Sequence, residues 1–278
     1  MKKYIITLLA AAIITLPAAA KKTKELYILH TNDTHSCILP MNPNLADTLV
    51  AGRGGFLRRI SMIKAERQKH PDLLYIDSGD FFQGSSYYTL FRGDVEIGLM
   101  NQMGVDASTL GNHEWDFGAE RLAENIRDAN FPIICSNYDF SGTPLEGLIK
   151  PYTIIKRNGV KIGIYAVCPQ LDGLVDTKNY GKTVYNDPVA CSLKMATMLK
   201  KEKKCDVVIC ISHLGWGKQG DIALVEGSRY IDIVLGGHSH TYFKQLRYVK
   251  DLDGRNVPVD QNGKSGLYVG SMKMILEK

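Results

Sequence analysis

The sequence predicts an α/β fold in which two mixed β-sheets pack face to face and are flanked by helices. Three observations carry that expectation. Apolar runs of strand length recur at residues 26–30, 73–76, 107–110, 133–135, 207–211 and 231–235, with helical segments between them, and such alternation builds α/β layers. One stretch breaks the alternation with a hairpin signal. The tail holds two further strand-like runs around a second Asn-Gly pair, so antiparallel strands should join the parallel ones.

From the amino terminus, the first apolar run is followed by Phe56, Leu57, Ile60 and Ile63 at helical spacing, which places a helix between the first two strands. Residues 152–156, Asn158-Gly159 and residues 160–167 form the hairpin signal. A type I′ turn needs positive φ at both central positions, and Asn-Gly supplies it at low cost. Asp187 is suited to cap a helix whose first residue is Pro188, with Val189, Leu193, Ala196 and Leu199 along one face. In the tail, residues 257–260 and 267–276 look like strands around Asn262-Gly263. There is no internal repeat, low-complexity segment or linker.

A chain of 278 residues, 45% hydrophobic and 23% charged, suits one compact domain with a large core. Residues 1–20 read as a secretory leader: Lys2-Lys3, an apolar run from position 4 to 16, then Pro17-Ala18-Ala19-Ala20. Cleavage is expected near Ala20, leaving residues 21–278 as a single domain in the periplasm or outside the cell. Losing Lys2 and Lys3 lowers the formal net charge from +5 to +3, too small an excess to imply a nucleic-acid partner. The basic run at 200–204 ends a predicted helix, where cations favour the exposed carbonyls. No later stretch approaches the roughly 20 apolar residues that a membrane span needs.

The six cysteines, at 37, 135, 168, 191, 205 and 210, show no CxxC pair and no zinc-ribbon spacing. Most lie in or beside strands and are expected as buried thiols. Cys205 and Cys210 flank one strand five positions apart, which should turn them to opposite faces.

The chemistry-bearing residues cluster just beyond apolar strands. The groups are Asn32-Asp33-Thr34-His35, Asp77-Ser78-Gly79-Asp80, Gly111-Asn112-His113-Glu114-Trp115-Asp116, Ser212-His213 and Gly236-Gly237-His238-Ser239-His240. Carboxyl ends of strands in open α/β sheets are where sites assemble, so the five groups can meet in one cleft. Taken singly each has a plain structural explanation: Asp-x-His is common, Asp80 could be a turn residue and His213 a hydrogen-bonded core histidine. His113-Glu114 does not extend to HExxH, because position 117 is Phe117. His30 and His70 belong to no motif and are expected to be structural.

Together, Asp33, His35, Asp80, Asn112, His213, His238 and His240 form an oxygen and nitrogen donor set without thiolate, suited to manganese, zinc, iron or cobalt. Seven donors exceed one tetrahedral ion and fit two divalent ions sharing a carboxylate. Such a pair, roughly 3.5 to 4 Å apart, holds a hydroxide at neutral pH and neutralises phosphoryl charge.

The ordered combination Asp-x-His, Gly-Asp, Gly-Asn-His-Glu, Ser-His, Gly-His-x-His resembles the calcineurin-like metallophosphoesterase signature. Residues 54–59 and 103–118 resemble its 5'-nucleotidase and UDP-sugar hydrolase branch, with Trp115 where that branch usually has phenylalanine. The resemblance spans about residues 25–278. It implies one ion on Asp33, His35, Asp80 and His240 and the other on Asp80, Asn112, His213 and His238, with Asp80 the bridge. It also implies that Asn112 and His113 face the substrate, and that His113 stabilises phosphoryl charge while Asp116 orients it.

The expected function is therefore an exported dinuclear-metal phosphoesterase, 5'-nucleotidase-like, in which a metal-bridging hydroxide attacks a small phosphate ester. Nucleotidases of the branch carry a further C-terminal domain that clamps the base, and no counterpart is expected in this sequence. A catalytic subunit completed by a separately encoded chain is thus an alternative. So are 2',3'-cyclic nucleotide phosphodiesterase, UDP-sugar hydrolase and thiosulfate-ester hydrolase activities, and a non-catalytic metal-binding role.

Overall fold

The structure, a computed structural model, describes residues 23–277; the expected leader lies outside the described residues. In chain order the elements are β1 (Thr23–Thr31), α1 (Phe56–Lys69), β2 (Leu74–Asp77), α2 (Ser86–Phe91), α3 (Asp94–Met103), α4 (Gly118–Asp128), β3 (Tyr138–Asp139), β4 (Tyr152–Arg157) and β5 (Val160–Val167). They continue with α5 (Thr177–Tyr180), β6 (Val184–Tyr185), α6 (Pro188–Thr197), β7 (Val207–Ser212), α7 (Asp221–Glu226), β8 (Ile233–Gly236), β9 (Arg247–Lys250), β10 (Asn256–Asp260) and β11 (Gly270–Glu277).

Two mixed sheets form the centre. One runs β11-β1-β2 and the other β4-β5-β7-β8-β10-β9, with a small β3-β6 pair apart from both. Strand periodicity sends alternate side chains to opposite faces, and this sorts the core into three layers. Leu26, Ile28, Leu74, Ile76, Ile162, Ile164, Val207, Ile209, Ile211 and Leu235 fill the space between the sheets. Tyr75, Phe56, Ile60, Ile63, Ile97 and Leu122 join the outer face of the first sheet to α1, α3 and α4. Tyr165, Val208, Cys210, Met195, Ala196 and Leu224 do the same for the second sheet with α6 and α7. The expected architecture of two packed sheets flanked by helices is the one found.

Several local expectations hold for their stated reasons. Asn158 and Gly159 take φ of 48° and 67°, and the hairpin pairs Arg157 with Val160. Asp187 caps α6 by accepting from Ala190 N–H at 2.6 Å, with Pro188 at the first turn. His30 is fully buried with Nε2 3.0 Å from Asp260 Oδ2, and His70 stacks on Tyr27 at 3.6 Å. All six cysteines are free, and Cys135, Cys168, Cys205 and Cys210 are buried.

Others are corrected. Residues 107–110 and 133–135 are not ladder strands: single parallel bridges, Ile76 to Ala107 and Ser108 to Ile133, extend the first sheet past β2. The two tail strands flank a turn but do not pair with each other. β10 lies between β8 and β9, whereas β11 crosses to the other sheet and pairs antiparallel with β1. Cys205 and Cys210 share one core layer, because Cys205 precedes β7 and escapes its alternation. Leu57 is 67% exposed while Arg59 is buried: the buried stripe of α1 is Phe56, Arg59, Ile60 and Ile63, and position 57 lies a quarter turn off it.

Candidate metal centre

The parallel pairing of β1 with β2 lays the segments that leave them side by side, so Asp33 N–H donates to Gly79 O at 2.9 Å and His35 N–H to Asp80 O at 3.0 Å. β7 and β8 are parallel neighbours in the other sheet and release His213 and residues 237–240. Among the bonds that close the seam between the sheets, two involve the donor residues themselves. His213 Nδ1–H donates to Ser78 O at 2.6 Å, and His238 N–H donates to the Asp33 carboxylate at 3.0 Å to each oxygen.

Two overlapping donor groups result. Asp33, His35, Asp80 and His240 form one, and Asp80, His213 and His238 the other; within each group the donor atoms lie within 4.8 Å of one another. Asp80 belongs to both. Asn112 adjoins Gly111, which packs directly on Asp80 and His213. The structure thus brings together six of the seven residues the sequence singles out for metal binding, from four separate segments, and places Asn112 next to Gly111 beside them.

The donor chemistry fits cations. His213 Nδ1–H is committed to a carbonyl, so Nε2 is the nitrogen left to face a cation once its proton is displaced; it lies 3.1 Å from Asp80 Oδ2, outside hydrogen-bond alignment and without a partner. Asn112 Oδ1 is buried and equally without a partner. His35 Nε2 and His240 Nε2 converge to 2.8 Å, with Asp33 Oδ1 4.0 and 3.5 Å from them. A hydrogen bond from the far ring nitrogen, as His213 makes, is what fixes a metal-binding imidazole. Backbone strain points the same way: Asp33, His35, Asp80, His238 and His240 hold φ of 49°, 43°, 53°, 71° and 53°. Left-handed non-glycine residues cost about 1–3 kcal/mol each and cluster at functional sites.

Electrostatics prepare the same residues. Burial drives the pKa of His35 and of His238 down to about 4, and burial followed by the Lys264 charge lowers that of His240, so these imidazoles are neutral, the form that binds a cation. Burial pushes Asp33 up to about 7. Burial would also raise Asp80, yet the facing His213 charge holds it below its ordinary value. In turn, burial disfavours charge on His213, but Asp80 and Asp33 outweigh it and hold its pKa high in the metal-free protein.

His113 sits beside the donors, with its ring 5.4 Å from that of His35. Its Nδ1–H donates to Asp116 Oδ2 at 3.1 Å, and this bond chiefly raises its pKa. A cleft of about 590 Å³ opens here, lined by His35, Ile38, Met41, Tyr87, His113, His240 and Lys264 among others.

Glu114 has a role that the sequence reading misses. Its buried carboxylate accepts from the backbone N–H groups of Asp80, Phe81, Phe82 and Gly111 at 2.5 to 3.1 Å. Burial and the Asp80 charge push its pKa up to about 8 while these donors oppose them. The available signal was an acid wedged between His113 and the core residue Trp115.

Close approach explains Gly111, where a Cβ would lie 2.1 Å from Asp80 Oδ1 and 2.5 Å from His213 Nε2. Gly111→Ala should therefore fold, by circular dichroism, but weaken manganese binding by about 10–100-fold, the range for disturbed support of ligands; unchanged affinity would refute the close-packing explanation. Behind the site, Asp221 accepts from Ser212 Oγ at 2.5 Å, and burial raises its pKa from 3.8 to about 7. A carboxyl with a raised folded pKa lends stability that is full below its unfolded value and lost as pH climbs through the folded one. In metal-free protein, Asp221→Asn should flatten the decline in urea stability between about pH 4 and pH 8. Parallel profiles for variant and wild type would contradict this.

The calcineurin-like phosphoesterase profile matches residues 26–242. The chain belongs to that family. Its members are metal-dependent phosphoester hydrolases that use paired divalent cations. Human 5'-nucleotidase is 30% identical over 286 residues, covering 96% of this chain and 49% of that protein. A 5'-nucleotidase precursor from Thermus thermophilus superposes with a TM-score of 0.80 at 29% identity, covering 90% of this chain and 51% of the other. The NAD nucleotidase of Haemophilus influenzae gives a TM-score of 0.80 at 26% identity, covering 92% and 48%. The chain spans about half the length of the curated relatives it matches. Among the described residues no helix is long and apolar enough to cross a membrane.

Proposed function

We propose that this phosphoesterase is exported and hydrolyses nucleotides or similar small phosphate monoesters, in the manner of a 5'-nucleotidase. The observation that carries the reading is the pair of donor groups sharing Asp80 beside the His113–Asp116 pair in an open cleft. Asp33, His35, Asp80 and His240 would hold one divalent cation, and Asp80, Asn112, His213 and His238 the other. When bound, such a pair supplies positive charge against phosphoryl oxygens and makes water acidic enough to attack at neutral pH.

The chain's own residues do the rest. Asp116 fixes the His113 ring through Nδ1, which leaves Nε2 to donate to a phosphoryl oxygen as negative charge builds there. Glu114 fastens the segment bearing Asp80 to the one bearing Gly111, so Asn112 and His113 keep their place relative to the shared carboxylate. Export rests on the leader pattern of residues 1–20, and residues 21–278 are read as one domain.

The test is phosphate release from adenosine monophosphate and from p-nitrophenyl phosphate by purified protein loaded with manganese or zinc. No turnover with several metals, despite bound metal, would leave a binding protein instead. A second reading is favoured by one observation: Tyr87 is the one aromatic carbocycle among the residues lining the cleft, which is little to stack a base on. A separately encoded substrate-binding chain would remedy that. Selectivity for nucleotides that rises on mixing the two chains would support this version, and strong selectivity without a partner would oppose it.

A further inference from the structure

His238 and His240 fall in different donor groups yet lie two residues apart on one loop. Whatever holds that loop governs both groups. The residue that does so is Gln261, fully buried just after β10. Its Oε1 accepts from Ser239 Oγ at 2.8 Å and from Thr241 N–H at 2.6 Å, and its Nε2 donates to Gly237 O at 2.7 Å. Its backbone carbonyl takes Phe243 N–H at 3.0 Å.

Gln261 thus grips positions 237, 239, 241 and 243 and leaves 238 and 240 to the donor groups. The grip matters because His238 and His240 both sit in left-handed backbone, a conformation that persists only where surroundings over-determine it. The adjoining Asn262 carries the connection to the other sheet. Its N–H donates to Asn32 Oδ1 at 2.8 Å, and Asn32 Nδ2 donates to Asp33 Oδ2 at 2.5 Å.

We propose that Gln261 is a positioning residue that sets the affinity of both cation positions at once, by holding the His238–His240 loop in register with the Asp33 segment. This rests on the ligand assignment made under Proposed function. A metal ligand proper, such as His35, belongs to one donor group and should affect one position. Gln261 makes no hydrogen bond to a donor atom among the described residues and should affect two.

The experiment is calorimetric titration of manganese into metal-free protein. Wild type should bind two ions. Gln261→Met, close in size but without the three side-chain bonds, should weaken both steps by about 10–100-fold. Gln261→Glu keeps the two acceptor contacts and loses the donor, so it should fall between. His35→Ala should weaken one step only. Val257→Ala, buried on β10, the strand that leads into Gln261, should lower the melting temperature and leave both affinities alone, which separates positioning from general loosening. The inference is overturned if Gln261→Met binds both ions like wild type, if it weakens one step only, or if Val257→Ala weakens both as much. Fewer than two ions on wild type would overturn the ligand assignment itself, and the Gln261 inference with it.

Discussion

Asp80→Asn is expected to lower kcat/KM by about a thousandfold or more and to leave purified protein with at most one tightly held cation. The reasoning is positional. Asp80 is 2% exposed, lies in both donor groups, and has Oδ2 3.1 Å from His213 Nε2 and 4.0 Å from His35 Nε2. Its other oxygen accepts His113 N–H at 2.9 Å, so one side chain also sets where the histidine proposed to bind the phosphoryl group begins. Asparagine keeps the shape and one oxygen but removes the charge that two cations would share. Losing several kcal/mol of transition-state stabilisation corresponds to roughly that factor. Metal analysis by mass spectrometry decides the matter: two tightly held ions in the variant would show that Asp80 is not the bridge.

His113→Ala is expected to behave in the opposite way, keeping two cations while losing about 10²–10³ in kcat, the range for removing one donor to a developing oxyanion. The ring projects into the cleft, and the backbone N–H that reaches Asp80 survives the substitution. Asp116→Asn should do less harm, since an amide oxygen still accepts from Nδ1 while the negative charge that favours an imidazolium is gone. Loss of metal in His113→Ala equal to that in Asp80→Asn would make His113 a ligand and undo the division of labour proposed here.

The fold and the donor set were legible for related reasons. A strand announces itself by its apolar run, and a ligand placed immediately after one inherits a known position at the sheet edge. The pairing of strands was less visible. Residues 267–276 read as the partner of 257–260 across Asn262-Gly263, but nothing local says that β11 will cross to β1 in the other sheet. Residues 107–110 show strand composition yet form one bridge to β2, because pairing depends on what neighbours leave free.

The supporting residues were harder still. Glu114 and Gln261 act by collecting backbone groups from distant segments, and a side chain that binds main chain leaves no motif, since its partners can be any residue. Arg59 shows the same limit in the core: its charge predicts exposure, yet the helical stripe buries it over the Phe56 ring at 3.9 Å.

The seam between the sheets has a mechanical consequence. Asp33, His35 and Asp80 leave β1 and β2, while His213, His238 and His240 leave β7 and β8, so each cation would be anchored in both layers at once. Such an ion acts as a rivet: sliding one layer over the other would pull its donors apart, and its binding energy resists that shear. At a free-ion level one hundred times the dissociation constant, each rivet adds about 2.7 kcal/mol to folding. Supply of metal would then govern the stability of the folded chain as well as its turnover, and a chelator would lower both together.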